Sequence, residues 1–235
     1  YTGVTSFGIF NFIAATAYVS LTGLVLAAGI GLGTAMFLAF QATPRMRTVM
    51  YPLIDLLAGI PSVIYGFIGL SVLVKLFLKA GVHTGSCVLA AGILLAVMLL
   101  PYLVSSCCDT MLKERKKYLE DSAALGVSDW YAAATMILPA AMPNMLMSMV
   151  LAVGRAMGET MAVMMVMGNA NLFPKLLGKS ESIASVIALE MGTAVYGSPH
   201  YHALYAAGMV LVVLLMMINL GIHMVRKYLM GGNAV

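Results

Sequence analysis

One cation in this chain stands where a cation is costly. Arg155 lies within the apolar stretch Ala132 to Met167, ~20 Å along a helix counted from Ala141 at ~1.5 Å per residue. That places it beyond the inner interface of a bilayer and past the midplane. Glu159 follows at i+4, which predicts the same helix face one turn on, with Thr160 beside it. A lone charge at such depth costs from ~2.5 to more than 10 kcal/mol, so it faces a partner or water. Two readings are open. The pair is an intrahelical ion pair that fixes packing, or it is a polar station on a solute path. In the second, Arg155 supplies the positive charge an anion needs and Glu159 neutralises it between passages. Asp55 lies nearer the inner interface, where it is readily solvated, and takes no transport chemistry.

Other chemistries find little support. Cys87, Cys107 and Cys108 are too few and too badly spaced for a zinc site, and adjacent cysteines rarely bridge each other, so they read as small buried hydrophobes. The 21 methionines sit mostly among Leu, Val and Ala, as flexible filling. There is no Gly-x-x-x-x-Gly-Lys-Ser/Thr phosphate loop, so the chain is not expected to hydrolyse ATP itself, and no cofactor or metal is expected in it. Energy for transport would come from a partner.

The elements that must position Arg155 are membrane helices. With 62% hydrophobic and 9% charged residues and a mean hydropathy of +0.98, 235 residues carry too few charges to cover a water-facing globule. The ~10-residue alternating segments of a β-barrel are not found, so the fold class is all-α, a polytopic membrane protein. Five spans are expected, at about Phe10 to Phe40, Val49 to Leu78, Cys87 to Cys108, Ala132 to Met167 and Leu204 to Val225. The first is longer than the ~7 to 15 residue core of a signal peptide and lacks a basic leader. The chain opens on Tyr1-Thr-Gly without Met, which is compatible with a further helix ahead of residue 1.

Cations set the direction. With the N-terminus outside, Arg45, Arg47, Lys113, Arg115, Lys116, Lys117, Arg226 and Lys227 face the cytoplasm, against Lys75, Lys79, Lys175 and Lys179 outside. The excess favours N-out, C-in, and explains the net charge of +4 without nucleic acid.

Three interruptions carry further expectations. In the second span, Gly59-Ile60-Pro61-Ser62 predicts a kink or broken turn, because Pro61 cannot donate to the Leu57 carbonyl. Irregular backbone at that depth is tolerated against protein or a water-filled cavity, so this break either lines a path or serves packing alone. Between the last two spans, residues 169–201 hold an apolar run from Ile183 to Met191 with Ser180 and Ser182 as candidate caps, too short to cross and predicted to be a short outer or re-entrant helix. The third interruption is the polar segment Lys113 to Trp130, expected as a cytoplasmic loop over about 113–131.

Within that segment, Glu120-Asp-Ser-Ala-Ala-Leu-Gly126, followed by Met136-Ile-Leu-Pro139, resembles the EAA loop of type I ABC importer permeases. Phe7-Gly-Ile-Phe-Asn11, Leu56 to Gly66 and Gly154-Arg-Ala-Met-Gly-Glu-Thr-Met-Ala-Val163 are similar to the phosphate importer permeases of the PstC type. The resemblance runs from about Phe7 to Arg226. It implies a five-helix MetI-like core within a single permease domain. The implied partners are a homologous PstA-type permease, a cytoplasmic ABC ATPase dimer that binds ATP and Mg, an outer phosphate-binding protein and the surrounding membrane lipid. The solute would be phosphate, and the alternatives are another oxyanion such as molybdate or sulfate, or a phosphate-sensing scaffold of the same complex. Glu120, Asp121, Ala123, Ala124, Gly126, Leu138 and Pro139 become the ATPase-coupling residues, with the small ones allowing close helix approach and the acidic ones meeting basic groups. Asp121 and Ser122 depart from the alanines of the general pattern, and the family usually carries a further helix ahead of the point where this chain starts.

Overall fold

The computed structural model describes residues 8–124 and 126–231. The side chains of residues 119–121, 123–124, 222–223 and 225–231 lie outside that description, as do Phe7 and the side-chain geometry of Glu120, Asp121, Ala123 and Ala124. All five expected spans are present, at Phe10–Phe40, Ser62–Lys79, Val88–Tyr118, Asp129–Met157 and Pro199–Gly221.

The first helix, α1 (Phe10–Phe40), buries small residues at four-residue spacing, Gly23, Ala27, Gly31, Ala35 and Ala39, with Ala15 eight residues ahead on the same face. Between membrane helices there is little hydrophobic drive, so association depends on close van der Waals packing, which small residues allow. α1 ends at Gln41, and α2 (Pro44–Gly59) starts on Thr43, whose side chain accepts the Met46 N–H. Arg47 of α2 folds back to donate to the carbonyls of Leu38 (2.7 Å) and Ala39 (3.0 Å), taking up orphan acceptors at the end of α1.

The second span is shorter than its apolar window. α2 stops at Gly59, Ile60 and Pro61 are extended, and a new helix begins at Ser62. It runs as α3 (Ser62–Ile68), a wide π turn at Gly69–Leu73, and α4 (Val74–Lys79).

α5 (Val88–Ala124) is 37 residues long, well beyond the expected end at Cys108. The polar segment taken for a loop from Lys113 is helical to Ala124, because Met111 to Ala124 contains no Gly or Pro and is rich in good helix formers. Arg115, on this extension, donates to the Ala39 carbonyl at 2.9 Å, joining α5 to the same end of α1 as Arg47. α5 is the centre of the bundle: 67% of its apolar window is buried, against 11% for the last helix.

After a turn at Gly126 come α6 (Asp129–Ala132), a π turn at Ala133–Ile137 and α7 (Leu138–Met157), which together form the fourth span. The π turn lies just before Pro139, whose ring would crowd the Thr135 carbonyl in a regular helix. The fourth span also breaks earlier than expected, at Gly158, with α8 (Met161–Met167) as a separate helix. α9 (Ile183–Glu190) is capped by Ser182, whose hydroxyl accepts the Ser185 N–H at 3.2 Å, as the sequence predicts. Its first turn is buried in the bundle, where the Ile183 N–H donates to Thr16 Oγ1 of α1. α10 (Pro199–Gly231) is the last of the described helices.

Candidate functional site

Arg155 sits in the last turn of α7 and is exposed. Gly158 caps that helix, so Glu159 and Thr160 leave it, and the expected i+4 alignment of Arg155 and Glu159 on one face is not formed. Glu159 turns instead to the next helix, where its Oε1 accepts the Ala162 N–H at 3.2 Å in the first turn of α8. The Thr160 hydroxyl donates to the Gly158 carbonyl at 3.3 Å. Among the described residues no ion pair joins Arg155 to a carboxylate. A guanidinium in a membrane-spanning segment with no acidic partner is a cation held open to whatever faces α7. On α5, Tyr102 packs against the same core cluster as Ala152 and Ala156, which flank Arg155 on α7. Two turns back along α7, Ser148 Oγ lies 2.7 Å from Ser106 Oγ, one α5 turn from Tyr102. Tyr102, Ser106 and Ser148 went unmarked in the sequence, where the only available signal was their four- and seven-residue spacing from one another and from Arg155.

The break at Gly59, Pro61 and Ser62 forms as predicted, and the carbonyl that Pro61 leaves without its regular partner is answered by Tyr65, whose hydroxyl donates to Leu57 O at 2.8 Å. No atom lies within 4 Å of where a Gly59 Cβ would be, so that glycine ends a helix rather than admitting a neighbour. Close approach falls one turn further on. A Cβ on Gly66 would come within 2.7 Å of Met165 Sδ and 3.1 Å of Ala162 Cα, and one on Gly69 within 2.8 Å of Leu94 and Val166 side chains. α3 is therefore pressed onto α8, and the two interrupted helices meet: the α2–α3 break and the α7–α8 break that follows Arg155 belong to one packed unit.

The proposed docking region is a helix extension and a capped turn. Gly126 adopts φ +64, a left-handed turn that favours glycine, and within this chain the space where its Cβ would be is open. The Val127 N–H donates to the Ser122 carbonyl at 3.3 Å, a glycine-terminated helix end. Ser128 then caps α6 by accepting the Tyr131 N–H, and Trp130 and Tyr131 are left 63% and 57% exposed at the tip. Leu138 packs into the core, and Pro139 is exposed at the start of α7, both beyond the tip itself.

A family model described as the binding-protein-dependent transport system inner membrane component matches residues 29–229. The chain belongs to this family. As a member of these inner membrane transport components, it is a multi-pass membrane protein and a transport subunit. Among curated relatives, the probable ABC transporter permease protein YqgH of Bacillus subtilis is 38% identical over 212 residues, 88% of this chain and 68% of that protein. The phosphate transport system permease protein PstC of Xylella fastidiosa is 35% identical, covering 80% of this chain and 64% of its own length. A probable PstC of Methanocaldococcus jannaschii is 30% identical, covering 90% and 73%. The chain thus spans roughly two thirds of the length of these permeases. Among solved structures, an inward-facing MetNI methionine ABC transporter matches with a TM-score of 0.69 at 14% identity, over 94% of this chain and 95% of that one, which shows the MetI-like fold.

Proposed function

We propose that this chain is the permease half of an ATP-driven importer for inorganic phosphate. The reading rests on relatives named as phosphate permeases that are 30–35% identical over most of the chain, and the geometry around Arg155 supports it. A strong, permanently charged donor fork suits a tetrahedral oxyanion, and Glu159, engaged with α8, leaves that fork to the solute. A homologous PstA-type permease would complete the path, an outer phosphate-binding protein would deliver the solute, and a cytoplasmic ABC ATPase dimer would hold ATP and Mg.

In this reading the N-terminal end of α1 faces outward and the C-terminal end of α10 inward. The cations of α2 and of the α5 extension, Arg45, Arg47, Lys113, Arg115, Lys116 and Lys117, then face the cytoplasm. Trp130, Tyr131 and the turn at Gly126 that follows α5 present the ATPase with two aromatic anchors and a glycine corner. Closure of the ATPase pair moves that turn, and with it α7, Arg155 and the break at Gly158.

The decisive experiment uses the complete complex in proteoliposomes. Arg155→Gln abolishes ATP-dependent phosphate uptake while the subunits still co-purify, and Arg155→Lys, which keeps the charge but loses the fork, retains part of it. Normal uptake by Arg155→Gln refutes the path assignment. Equal uptake of molybdate or sulfate in competition refutes the phosphate assignment.

A further inference from the structure

At the end of the bundle opposite the Arg47–Arg115 joint, a cavity of about 490 Å³ opens between the start of α1, α9 and the first three turns of α10. Its volume falls in the ~300–1,000 Å³ range of small-ligand sites. One end is polar, with Glu181, Glu190, His200 and Asn171. The rest is hydrocarbon: Phe12 on one side, Val186 on another, and Leu204, Ala207 and Val210 down α10. Val210 lies eleven residues into α10, about 16 Å along its axis from Pro199.

Glu181 is the odd group. It lines this cavity at 6% exposure and makes no hydrogen bond or ion pair among the described residues. Its charged neighbour is another carboxylate, Glu190, which is held by His200 Nε2 at 3.0 Å. Its oxygens open into the cavity and are not sealed from it, and a carboxylate with no donor among mostly apolar walls is costly unless a proton or a cation answers it. Burial, and then the Glu190 charge, push its pKa above the ordinary carboxylate value, in keeping with that cost. No group of three metal-ligating side chains exists among the described residues, so a chelated divalent ion does not fit. Asn171 Oδ1 is taken by the Asn11 side chain, and its amide nitrogen makes no hydrogen bond among the described residues.

We propose that this cavity binds an aminophospholipid of the outer leaflet, with its primary ammonium on Glu181 and an acyl chain along the α1–α10 wall. The chemistry matches end for end. An ammonium brings three N–H donors to an unpartnered carboxylate, the Asn171 amide nitrogen at the rim can donate to the lipid phosphate, and the apolar channel descends in the direction an acyl chain takes. A choline headgroup, with no N–H, leaves Glu181 unanswered. The site lies apart from Arg155 and does not depend on which solute is carried; its assignment to the outer leaflet rests on the N-out orientation proposed above.

The complete complex is reconstituted in parallel into vesicles of phosphatidylethanolamine with phosphatidylglycerol and of phosphatidylcholine with phosphatidylglycerol, extracted in detergent, and the retained lipid counted by native mass spectrometry. The wild type retains phosphatidylethanolamine in preference to phosphatidylcholine, and Glu181→Gln lowers that retention about tenfold, the loss expected for one charge-assisted hydrogen bond. Ala203→Leu, which narrows the wall without touching charge, lowers it as well, so the proposal stands on two variants. Equal retention of the two lipids by the wild type, or unchanged retention in a folded Glu181→Gln complex, overturns it. So does stabilisation by n-butylammonium in phosphatidylcholine vesicles equal to that given by phosphatidylethanolamine, which assigns the cavity to a free amine. Loss of outer binding-protein capture in Glu181→Gln with lipid retention intact also overturns it, in favour of a partner's basic side chain.

Discussion

Two glycines on one helix should answer the same substitution with opposite signs. On α1, Gly23 faces α5 so closely that a Cβ would come within 2.9 Å of Leu95 Cβ and 3.3 Å of the Gly92 carbonyl, whereas Gly29 has nothing within 4 Å. Replacing either by alanine removes glycine's helix cost of ~0.5–1 kcal/mol, so that gain cancels between the two variants. What remains is the overpacking at Gly23, ~1–3 kcal/mol, because backbone and a Cβ cannot swing aside as a side-chain tip can. At roughly 2–4 °C per kcal/mol for a chain of this size, Gly23→Ala melts several degrees below Gly29→Ala in detergent, with the wild type between them. The contact has a second handle. A Cβ on Gly92 would meet Thr22 Cγ2 at 2.7 Å, so Thr22→Ser, which deletes that methyl, should recover part of the loss in Gly92→Ala. Equal melting temperatures for Gly23→Ala and Gly29→Ala, or no recovery by Thr22→Ser, would refute the claim that α1 and α5 meet backbone to backbone.

Tyr65→Phe strips the hydroxyl that answers the Leu57 carbonyl and should cost about 1 kcal/mol, since Ile60 N still lies 3.3 Å away; Tyr18→Phe, whose hydroxyl makes no hydrogen bond among the described residues, should melt like the wild type. Arg47→Ala and Arg115→Ala each leave the other arginine on the Ala39 carbonyl, so a double-mutant cycle should show the combined loss exceeding the sum by ~0.5 kcal/mol or more, and strict additivity would count against a shared acceptor. Glu181 has a pKa raised above 4.5 by burial and then by Glu190, so the folded chain holds its proton more tightly than the unfolded one and loses stability as pH climbs from the unfolded value through the folded one. In detergent free of aminophospholipid, Glu181→Gln should therefore melt above the wild type at pH 7, with the gap closing as pH falls toward 4.5; a gap that widens on acidification reverses the sign.

The spans were legible because an apolar window reports the membrane directly, and the Pro61 break because a missing N–H is a local fact. Ser182 was legible as a cap for the same reason. Hydropathy does not report helix, however, and that is why the polar run from Lys113 read as a loop while its residues, all compatible with helix, simply carry α5 onward to Ala124. The Gly158 break was hidden from the other side. Glycine is common in membrane helices, and Arg155 with Glu159 at i+4 is a pattern that supports helix, so nothing local said that Glu159 would cap α8 instead. The left-handed turn at Gly126 was not legible, since a positive φ and a need for close approach leave the same letter in the sequence. Glu181 was invisible as a site: one carboxylate in a polar stretch gains meaning only when α1, α9 and α10 close around it.

The length of α5 has a mechanical consequence. Close contacts hold it to α1 at Gly92 against Thr22 and Gly23, at Leu103 beside Gly31, and again at Arg115 on the Ala39 carbonyl, a shared length of 23 residues from Gly92 to Arg115, about 35 Å at 1.5 Å per residue. The helical end at Ala124 overhangs the last of these by nine residues, about 14 Å. The α1–α5 pair is thus a doubled beam, and a push on that overhang reaches Ser106, where α5 touches α7 through Ser148, as motion of the pair and not as bending of one helix.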